Sequence, residues 1–378
     1  MIHVVHLISG LEVGGAERLL ARLVKGQPAL HVSNRVISMT DMGPLGERLA
    51  GAGVEVQALH MRRGSPSLSA LWRLAKILRR LKPDILHCWM YHADLLGLLA
   101  GRLAGVPNVI WGIHSANETL GGWRPLTRWV VKSCALLSRY PETILSVSES
   151  GKRAHAAMGY DTSRMVVVHN GYDLDMFKPA PETRDTVRRE LSLGSDTLLV
   201  GMIARFHPAK DFRNFFKAAS ILLEHYTGVH FLMAGTGVCA SNPELSEPMH
   251  EHGLTGHVHL LGRRDDIPIL DAALDIGCIS SATEAFPNSV AEAMACGVPC
   301  VVTDVGDAAL IVGETGRVVP PRNPEALARG LGEMIDLGPE GRKLLGQRAR
   351  QRIAEKFSLV KMIDAYEALY RQLNGNSA

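Results

Sequence analysis

The chain has 378 residues, of which 46% are apolar and 21% charged, with a formal net charge of +3. That length predicts two or three domains with sizeable cores, and so small a charge gives no ground for a nucleic-acid partner. A membrane span needs roughly 18 apolar residues in a row, and the nearest run, residues 93–113, is broken by Arg102 and Pro107.

The first residues, MIHVVHLI, carry no basic segment ahead of the apolar ones, so they read as a first strand and not as a secretory signal; a cytoplasmic location is expected. Residues 9–15 then form a glycine-bearing loop, and residues 16–24 an amphipathic helix with Leu19, Leu20 and Leu23 inward. The loop reads GLEVGG, which is not the G-x-G-x-x-G dinucleotide fingerprint, and no P-loop pattern occurs in the chain. Gly14 and Gly15 still allow backbone to approach a phosphate closely, and equally allow a tight turn with no ligand. Strands follow at 35–39, 54–59, 84–88, 108–113 and 143–147, with helices at 45–52, 67–81, 93–103 and 124–138 between them. Such alternation predicts a parallel sheet with right-handed crossovers. Ligands of such sheets gather at the carboxyl ends of strands, where His87, His114, Ser148 and Glu149 are expected.

Two helical stretches in this first half are basic. Residues 67–82 set Arg73, Lys76 and Arg80 on one face and Leu71, Leu74, Leu78 and Leu81 on another, with Arg62 and Arg63 just before. Residues 121–139 add Trp123, Arg124, Arg128, Trp129 and Lys132. Ordinary surface helices fit this pattern, and so does a face that docks on anionic lipid.

Residues 170–195, with Gly171, Pro179, Pro181 and many charges, read as a linker. The rhythm then starts again: strands at 198–204, 230–234, 258–261, 275–279, 300–303 and 317–319, helices at 212–225, 245–252, 267–273, 289–296, 324–335, 339–356 and 359–373. The organisation expected is two doubly wound α/β domains facing across a cleft. Six cysteines (Cys88, Cys134, Cys239, Cys278, Cys296 and Cys300) include no C-x-x-C pair and read as small core residues, not zinc ligands.

Two clusters in the second half carry chemistry. In SSATEAFPNSVAEAMACGVPCVVTDV, residues 280–305, Glu284 lies in a loop and Glu292 on the following helix, with Pro287 suited to that helix's first turn and Gly297 to its end. Glycosidase carboxyls stand about 5–9.5 Å apart, whereas eight positions along a helix span about 12 Å; the two glutamates suit opposite ends of one extended ligand better than a shared scissile bond. Phe286, Pro287, Asn288 and Ser289 lie between them at a helix N-terminus, a place suited to phosphate. Hydroxyls at both ends with phosphate between describe a nucleotide sugar. In ARFHPAKD, Arg205 and Lys210 follow the first strand of the second half, and a guanidinium fork beside an ammonium suits a diphosphate whose charge grows as a sugar–phosphate bond breaks.

With these residues placed, the chain resembles the retaining glycosyltransferases of family 4, which have the GT-B fold, over nearly its whole length. The motifs are Glu284-AFPNSVA-Glu292 followed by AMACGVPCV, the basic pair Arg205 and Lys210, EVGGAE with Gly14 and Gly15, HNGYD at residues 169–173, and FSLVKMIDAYEALY near the end. The resemblance implies two Rossmann-like parallel-sheet domains, an acceptor domain at 1–172 and a donor domain at 173–358, with a C-terminal helix, 359–378, crossing back to the first. It implies that Glu284 contacts the donor sugar beside the reacting carbon, that Glu292 holds the ribose hydroxyls, and that Phe286, Pro287, Asn288 and Ser289 present backbone to sugar and phosphate. Arg205 and Lys210 would stabilise the departing nucleoside diphosphate, Gly14 and Gly15 would approach it from the first domain, and His114 would bond the sugar near the acceptor. Gly262 and Arg263 fall where the family lines its base pocket. Ala285 and Leu310 depart from the family, which often has glycine and an acid there.

The activity implied is transfer of a sugar from a nucleotide diphosphate, most commonly of uridine in this family, to a lipid-linked or polysaccharide precursor at the inner membrane face. No carboxylate is placed as a nucleophile, so same-face attack with retained configuration fits best. No cofactor is implied and no metal, since no D-x-D stands in the segment of Arg205 and Lys210 or in that of Glu284 and Glu292. Three rivals share parts of this pattern: a nucleotide-sugar epimerase, a pyridoxal-dependent phosphorylase and a non-catalytic membrane-associated scaffold.

Overall fold

The computed structural model describes residues 1–12, 14–27, 31–62, 67–115 and 124–375. They fall into two compact units, Met1–Gly171 with Leu359–Ala378, and Tyr172–Ser358. The first unit is built on β1 (Ile2–Ile8), β2 (Val32–Ser38), β3 (Glu55–Ala58), β4 (Ile85–Trp89), β5 (Asn108–Ile113), β6 (Thr143–Ser146) and β7 (Met165–Val167). All pair in parallel, in the order β3-β2-β1-β4-β5-β6-β7. Every residue of β4 and β5 is buried, because crossover helices cover both faces of such a sheet and central strands must be apolar on both sides. The helix Tyr91–Ala104 lies close on the sheet by virtue of Gly97, where a Cβ would stand 2.2 Å from the Cys88 sulfur.

The final helix, Leu359–Gly375, belongs to this first unit and buries Met362, Ile363, Tyr366, Tyr370 and Leu373 in it. Its contact with the helix Gly15–Gly26 is tight at Gly26, where a Cβ would meet the Ile363 Cδ1 at 2.2 Å.

The second unit carries β8 (Leu198–Ile203), β9 (Val229–Ala234), β10 (Val258–Leu260), β11 (Ile276–Ile279), β12 (Cys300–Thr303) and β13 (Arg317–Val319), again all parallel, in the order β10-β9-β8-β11-β12-β13. Phe215, Phe216 and Phe231 fill the middle of its core. In each sheet the chain works outward in one direction and then returns to the other side of its first strand. The order therefore reverses between β1 and β4, and between β8 and β11, and a doubly wound sheet opens a crevice at the carboxyl ends of those strands.

Several sequence expectations change. The segment 170–195 is not a bare linker: it contains the helix Pro181–Glu190. Its charges fasten that helix to the sheet. Arg184 and Arg188 both bond Asp275, at 2.7 and 2.9 Å, and the buried Arg188 also donates to the carbonyls of Ala273 and Thr197. The helix Glu149–Ala157 and the short β7 beyond β6 were also unforeseen, being too brief to show a period. Pro287 sits outside the first turn, as the extended N-cap residue (φ −72°, ψ 99°) of the helix Asn288–Ala295. His87 does not face a ligand crevice but is wholly buried within β4. The second basic helix runs Pro125–Leu137; residues 121–123, with Trp123, and Arg63 before the first basic helix lie outside the described residues. All six cysteines are free thiols, five of them buried.

Candidate functional site

The second unit's reversal point collects the charged residues expected there. The loop after β8 carries Arg205, His207 and Lys210; the loop after β11 carries Glu284. The Lys210 Nζ forms an ion pair with Glu284 Oε1, and the Ser281 hydroxyl donates to the same oxygen at 2.7 Å. Both charged groups are mostly shielded, at 20% and 13% exposure, so each needs the other while no ligand is bound. The two loops are knit by their backbones. Ala282 N–H donates to Ala209 O at 2.8 Å, Ser280 Oγ reaches the carbonyls of Lys210 (2.9 Å) and Asp211 (3.1 Å), and Thr303 Oγ1 donates to Ser281 O at 2.7 Å. Asp211, in a left-handed conformation, caps the helix Phe212–Leu223 through Asn214 N–H; it is not a partner for Arg205. Arg205 is exposed. Partial burial, then Arg205 and Lys210, hold His207 below its ordinary value.

Two glycines bring the chain close enough to make these loops. Gly306 has φ +59°, and a Cβ there would lie 2.5 Å from Glu284 O and 2.7 Å from Ala285 O. Gly235 has φ +155°, and its Cβ would lie 2.1 Å from Ala204 O. Only glycine combines that backbone with that proximity. Gly235 N–H donates to Gly262 O at 2.8 Å and Gly262 N–H to Val238 O at 2.7 Å, which sets Gly262 and the exposed Arg263 at the end of β10 beside the Arg205 loop. Arg263 pairs with Asp265 at 3.6 Å.

Beyond Glu284 the chain turns into the helix Asn288–Ala295. Phe286 is buried edge-on against Phe357, with centroids 5.6 Å apart, and Asn288 Oδ1 accepts from the Tyr172 hydroxyl at 2.6 Å. Arg350 fixes the far end of this helix by donating to the carbonyls of Ala295, Leu174 and Phe177. Glu292 is 7% exposed. Near it the helix Ile267–Ala273 buries Asp271, neither of whose carboxyl oxygens has a hydrogen-bond partner. Burial, and then the charge of Glu292, push Asp271 well above the usual carboxylate range. Asp271 and Ser289 line the same small cavity beneath the helix.

In the first unit, Gly14 is the N-cap residue of Gly15–Gly26, and the Glu17 carboxylate hangs over it, 2.2 Å from where a Cβ would stand. An acid in a helix's first turn is stabilised by the helix dipole, so Glu17 occupies the place an incoming anion would take. His114 follows β5 directly. Its ring stacks on Trp89, with centroids 5.0 Å apart and planes 11° from parallel. It folds back over Gly112, where a Cβ would come within 3.1 Å of His114 Nε2. That nitrogen is closed off from solvent, and burial lowers the ring to about 4, so it is neutral at physiological pH.

Residues 13–176 match the family described as Glycosyltransferase Family 4, and residues 197–336 match Glycosyl transferases group 1. The chain belongs to glycosyltransferase family 4. A relative from Escherichia coli, named UDP-Gal:alpha-D-GlcNAc-diphosphoundecaprenol alpha-1,3-galactosyltransferase, is 27% identical over 310 residues, covering 80% of this chain and 79% of its own length. D-inositol 3-phosphate glycosyltransferase of Mycobacterium tuberculosis is 31% identical over 307 residues, 77% of this chain and 62% of the relative. The crystal structure of Anabaena Alr3699/HepE in complex with UDP and glucose superposes with a TM-score of 0.86 at 20% identity, covering 98% of this chain and all of that one. The two Rossmann-like units are thus those of a GT-B glycosyltransferase.

Within this glycosyltransferase, Lys210 and Glu284 are in contact, with the Arg205 and Gly262 loops beside them; Glu292 stands eight positions on, over Asp271. His114, Gly14 and Gly15 lie in the first unit. Sequence reading passed over Ser280, Ser281, Gly306 and Asp271. The two serines and Gly306 flank the glutamate motif and stand directly after strands, a signal that was available; Asp271 inside a helix offered none.

Asp271 makes stability depend on pH. Its folded-state value lies above its unfolded one, so its contribution is full below about 3.8 and is lost as pH rises through the raised value. Asp271→Leu should therefore be more stable than the parent at pH 8.5, by a gap that closes toward pH 4. Urea denaturation of both proteins across that range checks it, and parallel curves would show Asp271 to be solvated.

Proposed function

We propose that this glycosyltransferase moves a hexosyl group from a UDP-linked donor to a hydroxyl of a lipid-linked glycan precursor, with retained anomeric configuration and without a metal ion. The observation that carries the proposal is the Lys210–Glu284 pair at the β8/β11 reversal, with Glu292 on the next helix and Arg205 on the neighbouring loop. The UDP bound to the Anabaena structure and the donor and acceptor in the E. coli relative's name support the same substrate classes.

Lys210 and Arg205 neutralise the diphosphate and hold the charge that develops as the bond from C1 to the phosphate oxygen breaks. Lys210 turns from Glu284 to the phosphate, and Glu284 becomes available to the sugar hydroxyls, still oriented by Ser281. Glu292 accepts from the ribose hydroxyls, and burial, which pushes Asp271 behind it toward its uncharged form, disfavours a second negative charge in that corner. Phe286, Pro287, Asn288 and Ser289 supply the backbone of the helix N-terminus to sugar and phosphate. Gly262 and Arg263 line the base pocket, while Gly14 and Gly15 receive the diphosphate once Glu17 swings aside. His114 bonds the sugar on the acceptor side. The acceptor oxygen attacks C1 on the face the diphosphate leaves, and its proton passes to the departing phosphate oxygen, so no protein nucleophile is used.

The acceptor's lipid calls for a membrane surface, and the first unit has a face suited to one. Among the described residues no helix is long and apolar enough to cross a membrane. Leu68–Leu81 packs on Tyr91–Ala104, which packs on Pro125–Leu137. Their outer sides expose Leu68 (78%), Trp72 (58%), Trp129 (63%) and Leu136 (78%) among Arg73, Lys76, Arg80, Arg128 and Lys132. The one acid in the three helices, Asp94, is buried. Large apolar side chains set among cations suit an anionic leaflet, which supports the reading of a cytoplasmic enzyme held peripherally at the inner membrane face.

Lys210→Ala and Glu284→Ala should each lower kcat on the order of 100-fold or more. Transfer at near-parent rates by either variant refutes the site. NMR of the product should show the donor's anomeric configuration, and undiminished rates in EDTA should accompany it; an inverted product or an absolute need for Mn²⁺ would overturn those parts separately. Trp72→Ala with Trp129→Ala should weaken sedimentation with phosphatidylglycerol vesicles about tenfold while leaving transfer to a detergent-dispersed acceptor intact. Equal sedimentation of variant and parent would remove the membrane face.

A further inference from the structure

His114 does not stand alone at the end of β5. Its stacking partner, Trp89, ends β4 and is fully buried. The next residue, Met90, takes φ +76°, a strained value for a non-glycine residue, and its N–H donates to Gly112 O at 3.0 Å. That bond ties the ends of β4 and β5 together and brings Trp89 under His114. The Trp89 ring is also parallel to Tyr366, with planes 10° apart and centroids at 6.4 Å. His87 packs against both, at 4.6 Å from Trp89 and 5.8 Å from Tyr366, and bonds the Tyr370 hydroxyl through Nδ1 at 2.8 Å. Tyr366 and Tyr370 both come from the final helix.

The rotation of Trp89 is fixed by a polar chain. Its Nε1–H donates to His6 Nδ1 at 3.2 Å. The neutral His6 must then carry its proton on Nε2, which faces Asn34 Oδ1 at 2.9 Å, and Asn34 Nδ2 donates to Gln27 Oε1 at 3.0 Å. Every donor in the chain points the same way. Burial holds His6 down to about 4, which keeps Nδ1 an acceptor at physiological pH.

We propose that Trp89 and Tyr366 are positioning residues for His114: the final helix, through Tyr366 and Trp89, sets the ring plane of the histidine that meets the sugar. This rests on the acceptor-side role given to His114 above. The rings have two degrees of freedom each, and stacking within 11° of parallel removes the ring-plane rotation that would swing His114 Nδ1, the nitrogen left to meet a ligand, off target. At Tyr366 the restraint comes from the ring face, so a ring-retaining change there should keep it; at Trp89 it comes from the ring face and the bond to His6 together, and aliphatic changes at either position should lose it. The restraint concerns sugar transfer and not donor capture, because the charged donor residues lie in the second unit.

Four variants with two readouts test this: Tyr366→Phe, Tyr366→Leu, Trp89→Phe and Trp89→Leu, each in the full-length enzyme. Tyr366→Leu and Trp89→Leu should lower kcat on the order of tenfold with the KM for the UDP-sugar donor unchanged. Tyr366→Phe should match the parent. Trp89→Phe, which keeps a ring but loses the bond to His6, should fall between and serves as the folded control if the leucine variants do not fold. In the His114→Ala background the same changes should cost nothing further. Equal losses with and without His114 would show a general structural effect and overturn the proposal. The second readout is independent of catalysis: the His114 Cε1–H resonance, shifted by the Trp89 ring current, should move in Trp89→Leu and in Tyr366→Leu. An unmoved resonance overturns the proposal directly. If His114→Ala itself transfers sugar at the parent rate, the acceptor-side role of His114 fails, and the proposal with it, even where the resonance moves.

Discussion

A parallel sheet that reverses its strand order leaves two neighbouring carboxyl ends whose chains depart to opposite faces. Nothing covers the notch between them, and the backbone there must be satisfied by loops. In the second unit that notch lies between β8 and β11, and the polar contacts around it are all answers to it. Ser280 and Ala282 tie one loop to the other, Thr303 ties both to β12, and Gly306 lets the following chain pass within contact of Glu284. Lys210 and Glu284 are the mostly buried charges those loops bring to the notch, and their pairing is what makes that burial tolerable. The site is therefore a by-product of topology that has been given chemistry by a few side chains.

The first unit meets the same constraint differently. Its reversal lies between β1 and β4, and the residues there are aromatic rings and neutral histidines: His6 from β1, His87 and Trp89 from β4. Desolvation holds all three histidines of the cluster uncharged, with His87 pressed further by its neighbours His6 and His114. One unit thus pairs opposite charges at its reversal, while the other fills its own with uncharged rings.

Much of this was legible in the residues alone. The alternation of buried strands and amphipathic helices gave two parallel sheets, since continuous apolar runs such as ILHCW and NVIWGI have no other stable setting. Lys210 and Glu284 could be named because each lies in the loop that follows a strand, and ligands gather at strand ends. What escaped depends on partners far away in the chain. Arg188 looked like a linker charge, and its meeting with Asp275 is set by how the helix Pro181–Glu190 folds back. His87 looked like a ligand-facing residue until the final helix covered it with Tyr370. Asp271 lies on a helix whose inward face gives no sign in sequence that an acid belongs there.

The return of the final helix has a consequence for how the protein is made. Chains fold as they emerge, first-made parts first, yet Tyr366 and Tyr370 are fully buried in a unit whose other residues, 1–171, are made before the second unit. That unit cannot close until the helix Leu359–Gly375 has been made, whereas the second unit has all of its residues in one continuous segment. The half synthesised later is the first able to finish. A nascent chain must therefore carry an open floor of Trp89 and His87 through the synthesis of its second unit, and a stop before residue 359 would leave the first unit uncovered.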